Sequence, residues 1–241
     1  MIDKFTIYGE RCSGTNFLRE TFIKNFNLQY LNKAFCDDVV NDDNKHFFCK
    51  ENPFYKDDTV LHIGIVRDPV EWMDSFFSTP WHVSENNKKS IYHFLFHEFY
   101  SVYDDSFGNT VTEVYPDYIN QEILEDRNYI TGNRYKNIFE LRKYKNDYLI
   151  HAMPQYVKHY VLVIYEDLRD HYEETLLRIQ KQFNIPMKNS CILQNNQYKN
   201  LKDTTFVKKD INHLTKDLIE TIYEFVDKEQ EEKLGYNINR L

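Results

Sequence analysis

Apolar positions recur at two spacings along this chain, and the alternation between them sets the first expectations. Residues 5–8 form a short apolar run, while Phe17, Leu18, Phe22, Ile23 and Phe26 repeat near the helical interval. This predicts a strand over 5–8 and a helix over 15–26. A second run, Val60-Leu61-His62-Ile63-Gly64-Ile65-Val66, lies between Asp57-Asp58 and Arg67-Asp68-Pro69. It reads as a strand followed by a helix to about residue 78, with Asp68 suited to the N-cap and Pro69 to the first turn. An aromatic-rich helix is expected over about 89–103, and a long one over 137–156 that Pro154 ends a little early. A strand over 159–165 and helices over 167–183 and 215–234 follow, the last closed by Gly235. Residues 41–44 read as a polar turn, 46–49 as a short strand, and 104–133 as loops with short helices.

Strands separated by helical patterns imply an α/β fold of three layers, with a mainly parallel central sheet flanked by helices. At 241 residues the chain is expected to form a single domain over 1–241, with 104–133 an insertion or lid on the substrate side. No internal repeat, coiled coil or low-complexity tract interrupts it.

Composition narrows the chemistry. The formal net charge of -8 argues against a general nucleic-acid or anionic-membrane binder, so any anion site has to be local. Cysteines at 12, 36, 49 and 191 show no CxxC spacing or His cluster, which predicts reduced thiols and no metal site. The first residues run straight into a strand, and no window approaches the roughly 20 apolar residues of a membrane span, so a soluble cytoplasmic protein is expected.

Two segments place anion-binding chemistry at strand ends. In Gly9-Glu10-Arg11-Cys12-Ser13-Gly14-Thr15-Asn16, small, hydroxyl and cationic residues join the first strand to the first helix. There, inward-turned N–H groups and the helix N-terminus suit an oxyanion, although Gly and Ser are also ordinary turn residues. The loop lacks the GxxxxGK[ST] pattern with its Lys, which argues against an ordinary ATPase, GTPase or kinase. The second segment sets Arg67 at a strand's carboxyl end and Ser75 eight residues later. Ser75 returns to the helix face that begins at Asp68, so the two side chains can grip one phosphate. Pairing of Arg67 with Asp68 or Asp74 reads the same residues structurally.

Taken together the two segments resemble the sulfotransferase superfamily, whose fold is P-loop-like and whose donor is 3'-phosphoadenosine 5'-phosphosulfate. The run Val161-Leu162-Val163-Ile164-Tyr165-Glu166-Asp167-Leu168 looks like the strand and Tyr-Glu-Asp turn before a late helix in these enzymes. The resemblance implies that Arg11, Cys12, Ser13, Gly14, Thr15 and Asn16 bind the 5'-phosphosulfate, and that Arg67 and Ser75 bind the 3'-phosphate. It implies transfer of a sulfuryl group to a hydroxyl or amine acceptor, leaving 3',5'-ADP, with no metal. Cys12 stands where many cytosolic members have Lys, and Arg11 is the natural substitute to stabilise the leaving phosphate.

The acceptor hydroxyl needs a general base. His46, preceded by Lys45, lies between the two segments where the family places its catalytic His or Glu; Glu51 and His62 are the runners-up. His62 sits inside an apolar strand, which favours a core role. Trp81 and His82 read either as a stacking surface or as a loop anchor. Arg142 and Lys145 share an inward arc with Leu149, so they either cover an anion or snorkel to the edge. The acceptor itself and the oligomeric state have no sequence signal. A non-catalytic nucleotide-binding or interaction protein, and an ATP-dependent phosphotransferase, are the competing readings.

Overall fold

The computed structural model describes residues 1–31, 45, 46, 48, 53–104, 116–188 and 210–238. Within them β1 (Lys4–Tyr8), α1 (Thr15–Asn25), β2 (Gln29–Tyr30) and β3 (Val60–Val66) are followed by α2 (Pro69–Ser78), α3 (Glu85–Lys88) and α4 (Ile91–Phe96). Then come α5 (Ile138–Asp147), a wider π-type turn over Tyr148–Ala152, α6 (Met153–Tyr156) and β4 (Tyr160–Ile164). The chain continues through α7 (Tyr165–Asp170), α8 (Tyr172–Phe183), α9 (Lys216–Phe225) and α10 (Lys228–Lys233). The sheet is parallel throughout, in the order β2-β1-β3-β4, with Phe5 paired to Leu61 and Ile63 to Val161. This is the α/β fold expected, with helices on both faces of the sheet.

Alternation along the strands builds the layers. Phe5, Ile7, Ile63 and Val163 turn to one face and pack with Phe17, Leu18 and Phe22 of α1 and with Leu176 and Ile179 of α8. Tyr8 and Val66 turn to the other, against Tyr148, Leu149 and Met153. Every residue of β3 is buried, as expected of a central parallel strand covered on both sides. His62 is 1% exposed, and its Nδ1 lies 2.9 Å from the Tyr8 hydroxyl, so it is a core residue as its apolar strand suggested. A second core beside the sheet joins Trp72 and Phe76 of α2, Phe94 of α4, Leu141 of α5 and Ile222 of α9.

Several boundaries differ from expectation, each for a local reason. The helix expected over 89–103 is reduced to α4, which the Ser90 side chain caps, while the separate α3, capped by Ser84, lies just before that span. Beyond them Phe99, Ser101 and Val102 run extended and bridge to Tyr135, Val83 and Glu122. The helix of 167–183 breaks at His171, and that of 215–234 breaks where the Asp227 side chain accepts from Gln230 N to start α10. Near Pro154 the long helix widens into the π-type turn and then continues as α6, which accommodates a residue that has no N–H to donate. Asp68 does cap α2, accepting from the N–H groups of Val70 and Glu71 with Pro69 in the first turn. Lys45 and His46 lie in a turn and not in a strand; the turn expected at 41–44 and most of 46–49 lie outside the described residues. Among the described residues no helix is long and apolar enough to cross a membrane.

One buried ion pair ties the C-terminal helices to the sheet. Arg142 Nε lies 2.5 Å from Glu231 Oε1, and Nη2 donates both to Glu231 Oε2 at 2.7 Å and to the Arg67 carbonyl at 2.9 Å. Both side chains are at most 5% exposed, so the snorkelling considered for Arg142 does not occur. Removing one partner of such a pair strands the other charge. Glu231→Ala is therefore expected to lower the unfolding free energy by about 3–5 kcal/mol, measured by urea denaturation.

Candidate functional site

Because β1 and β3 are neighbours while the chain leaves them toward opposite edges, their carboxyl ends flank the crevice where open α/β sheets take ligands. Loop 9–16 and Arg67 meet there. The loop is tightly built. Cys12 and Gly14 adopt left-handed φ values of 62° and 99°. A Cβ at Gly14 would lie 2.4 Å from the Tyr165 ring, and one at Gly9 would lie 2.7 Å from Ile65 Cγ2, so both positions require glycine's lack of a side chain. Gly14 caps α1 without any side-chain acceptor, and no acidic residue stands in the first turn. No side chain caps that turn among the described residues, and the positive end of the helix dipole favours an anion there.

Arg67 and Ser75 converge on Cys12. Arg67 Nη1 donates to the Cys12 carbonyl at 3.2 Å, and the Ser75 side chain lies beside the Cys12 thiol. The Cys12 thiol itself donates to the Thr79 carbonyl at 3.7 Å. Burial pushes that thiol up to about 11, so Cys12 is protonated at neutral pH and serves as a small loop residue, not a nucleophile. The third segment joins them, since the Tyr165 ring packs on Gly14 and lies 4.7 Å from the Arg67 guanidinium carbon.

Lys45 and His46 bracket the other end of the loop. Gly9 N donates to the Lys45 carbonyl at 3.1 Å, and His46 Nδ1 lies 2.7 Å from the Gly9 carbonyl. A carbonyl only accepts, so Nδ1 carries the proton and Nε2 keeps its lone pair. Lys45 Nζ donates to Asn16 Oδ1 at 3.0 Å, which brings a buried cation to the start of α1. Lys45, expected only as a nearby charge, thus sets its ammonium against the first turn of α1.

Arg11 departs from its expected place. Its side chain is 1% exposed and faces inward. Nε donates to Glu10 Oε1 at 2.6 Å, Nη2 to Asp126 Oδ2 at 2.7 Å, and Nη1 to Ser101 Oγ at 2.7 Å and to the Trp81 carbonyl at 3.1 Å. A guanidinium so engaged does not reach the mouth of the loop. Lys145 completes the cluster with Asp126, with Glu10 Oε2 at 2.7 Å and with the His46 carbonyl at 2.6 Å. The anion beneath Lys145 is therefore a pair of protein carboxylates. Ser13 also turns inward, donating its hydroxyl to the Glu10 carbonyl at 2.5 Å.

Sequence reasoning missed Glu10, Ser101 and Asp126. A lone carboxylate in a loop gives no periodic signal, although two cations on an apolar helix face did announce that buried anions were needed. Trp81 is 42% exposed and borders a cavity of about 540 Å³ that Thr79, Lys88, Asp104 and Asn120 also line. Its neighbour His82 is tied to Asp104 through Nδ1 at 3.0 Å. Glu51 and positions 105–115 of the expected lid lie outside the described residues. Among the described residues no cluster of His, Cys, Asp and Glu is arranged to hold a metal. Compared with protein-family models, with curated proteins and with solved structures, the chain matches none.

Two groups make the site acid-sensitive. Burial, with Lys45 beside it, lowers the His46 imidazole to about 3. Burial pushes the Glu10 carboxyl up, but the Arg11 and Lys145 charges outweigh it and hold the group at about 2. Both values lie below those of the unfolded chain, which therefore takes up protons first as pH falls. Stability is expected to be level above about pH 6.5, to decline from there toward 3 as His46 resists protonation, and to decline further below about 4.5 as Glu10 does. Each group contributes a slope of up to about 1.4 kcal/mol per pH unit. Chemical denaturation across pH 4–8 checks this, and His46→Gln is expected to flatten the decline between about 6.5 and 4.5.

Proposed function

We propose that this chain binds 3'-phosphoadenosine 5'-phosphosulfate and transfers its sulfuryl group to a hydroxyl or amine acceptor. The supporting observation is the convergence at one crevice of an uncapped α1 N-terminus with Arg67 and Ser75, all gathered around Cys12. Two anion-binding elements side by side fit a nucleotide with phosphates on both its 3' and 5' positions better than they fit ATP. The first-turn amides of α1, Thr15 and Asn16 hold the 5'-phosphosulfate, and Arg67 with Ser75 holds the 3'-phosphate.

The chemistry follows from the same residues. His46 Nε2 takes the acceptor's proton as the acceptor oxygen or nitrogen bonds to sulfur and the bond from sulfur to the 5'-phosphate oxygen breaks. The departing phosphate of 3',5'-ADP carries the charge that develops. Lys45, held at Asn16, meets that charge in place of the missing loop Lys. Arg11 acts from behind, holding Glu10 and the loop backbone in position. The neutral imidazole is already in its basic form at neutral pH, and a bound polyanion raises its proton affinity.

The inward-facing Arg11 favours a second reading, in which the chain binds the nucleotide without turnover. Thermal-shift measurements with 3',5'-ADP, ATP and GTP test the proposal: 3',5'-ADP is expected to stabilise the chain most, and stabilisation by ATP alone would sink it. His46→Ala is expected to keep 3',5'-ADP affinity within about twofold and to lose about 100-fold or more in turnover. A wild-type chain that binds 3',5'-ADP but shows no sulfuryl transfer to any acceptor supports the second reading.

A further inference from the structure

We infer that Arg169 is a second cation of the 3'-phosphate subsite, and that the Glu71 carboxylate occupies the phosphate's place in the nucleotide-free protein. The inference rests on the reading above that Arg67 receives the 3'-phosphate. Glu71 stands four residues after Arg67, in the first turn of α2. Its Oε2 lies 3.3 Å from Arg67 Nη2 and 3.0 Å from Arg169 Nη1, so a single carboxylate oxygen is shared by two guanidinium groups. Both groups lie against the same Tyr165 ring, their central carbons 4.7 and 5.7 Å from its centroid. That ring is also the one packed on Gly14, which places the arginine pair beside the α1 N-terminus.

These are not ordinary surface ion pairs. The side chains of Arg67, Arg169 and Glu71 are only 16%, 6% and 14% exposed. Glu71 is the carboxylate common to both guanidinium groups, and Asp170 pairs with Arg169 alone. The other carboxylates nearby do not bridge the two arginines. Asp170 is half exposed and pairs with Arg169, whose Nε and Nη2 donate to it at 2.7 and 2.6 Å, leaving Nη1 to Glu71. Glu166 accepts from the Asp68 N–H and from the Tyr236 hydroxyl, and Asp68 caps α2. Arg67 Nε, moreover, is buried and has no hydrogen-bond partner among the described residues.

A phosphate matches this arrangement better than the carboxylate does. It offers three oxygens and up to two charges where Glu71 offers two oxygens and one, so it can engage both forks and the idle Nε together. Glu71 reaches the pair only through a flexible side chain four residues along its own helix, and a change of rotamer releases it. A nucleotide bearing a 3'-phosphate therefore displaces Glu71, whereas one with a bare 3'-hydroxyl leaves it in place. Glu71 in this way sharpens the choice between the two.

Calorimetric titration of the full chain with 3',5'-ADP and with 5'-AMP, which lacks only the 3'-phosphate, tests this. Arg169→Ala is expected to weaken 3',5'-ADP about tenfold or more while changing 5'-AMP by less than about twofold. Arg169→Lys should recover part of the loss, and Glu71→Gln should tighten 3',5'-ADP severalfold without affecting 5'-AMP. Equal effects of Arg169→Ala on both nucleotides, or no effect on either, overturn the inference and leave donor binding standing. Wild-type protein that binds neither nucleotide overturns both. If Arg169→Ala does not fold, Glu71→Gln carries the test, and an unchanged ratio of the two affinities overturns the inference.

Discussion

Arg11 and Lys145 face Glu10 and Asp126 inside the protein, in a cluster whose four side chains are at most 8% exposed. Each cation touches both carboxylates, so the charges cancel in pairs and none is left unmatched in a medium of low dielectric. The four residues come from the loop after β1, from the segment before α5 and from α5 itself. Whatever holds one of these elements therefore holds the others. Such a cluster gives little net stability over apolar packing of the same volume, but losing any member leaves a buried charge uncompensated. Its effect is to define one arrangement of the loop.

That arrangement has consequences at the crevice. With Arg11 directed inward, its carbonyl accepts from Trp72 Nε1 at 2.8 Å, and the chain reverses through left-handed Cys12 and Gly14. The reversal brings Cys12 against Ser75 and presents its carbonyl to Arg67. On the other side, the Lys145 ammonium holds the His46 carbonyl while the His46 ring reaches Gly9. The buried charges thus fix the proposed anion-binding end and the proposed base from behind. Lys45, not Arg11, supplies the cation at the loop. The division of labour is physical: a guanidinium with five donors suits a buried cluster of several acceptors, and an ammonium suits a single point contact.

The neighbouring arginine pair follows the opposite rule. Arg67 and Arg169 share one carboxylate oxygen of Glu71, and Asp170, half exposed, pairs with Arg169 from outside. The core cluster is closed on all sides, whereas the arginine pair includes a carboxylate that a change of rotamer can release.

Period and punctuation made much of the fold legible. The apolar runs at 5–8, 60–66 and 159–165 became three adjacent strands, and Asp68-Pro69 opened α2 as written, because strand burial and helix caps depend on near neighbours in sequence. Within the site, the loop's turn residues and the spacing of Arg67 and Ser75 were equally local, and both segments came together around Cys12. What only the tertiary structure decided is where long charged side chains point. Arg11 turned inward because Asp126, 115 residues away, lay beneath it, and Arg169 spans from its neighbour Asp170 to Glu71, 98 residues away. An arginine's reach exceeds the spacing of strands, so its partner is chosen by packing, and no pattern along the chain records that choice.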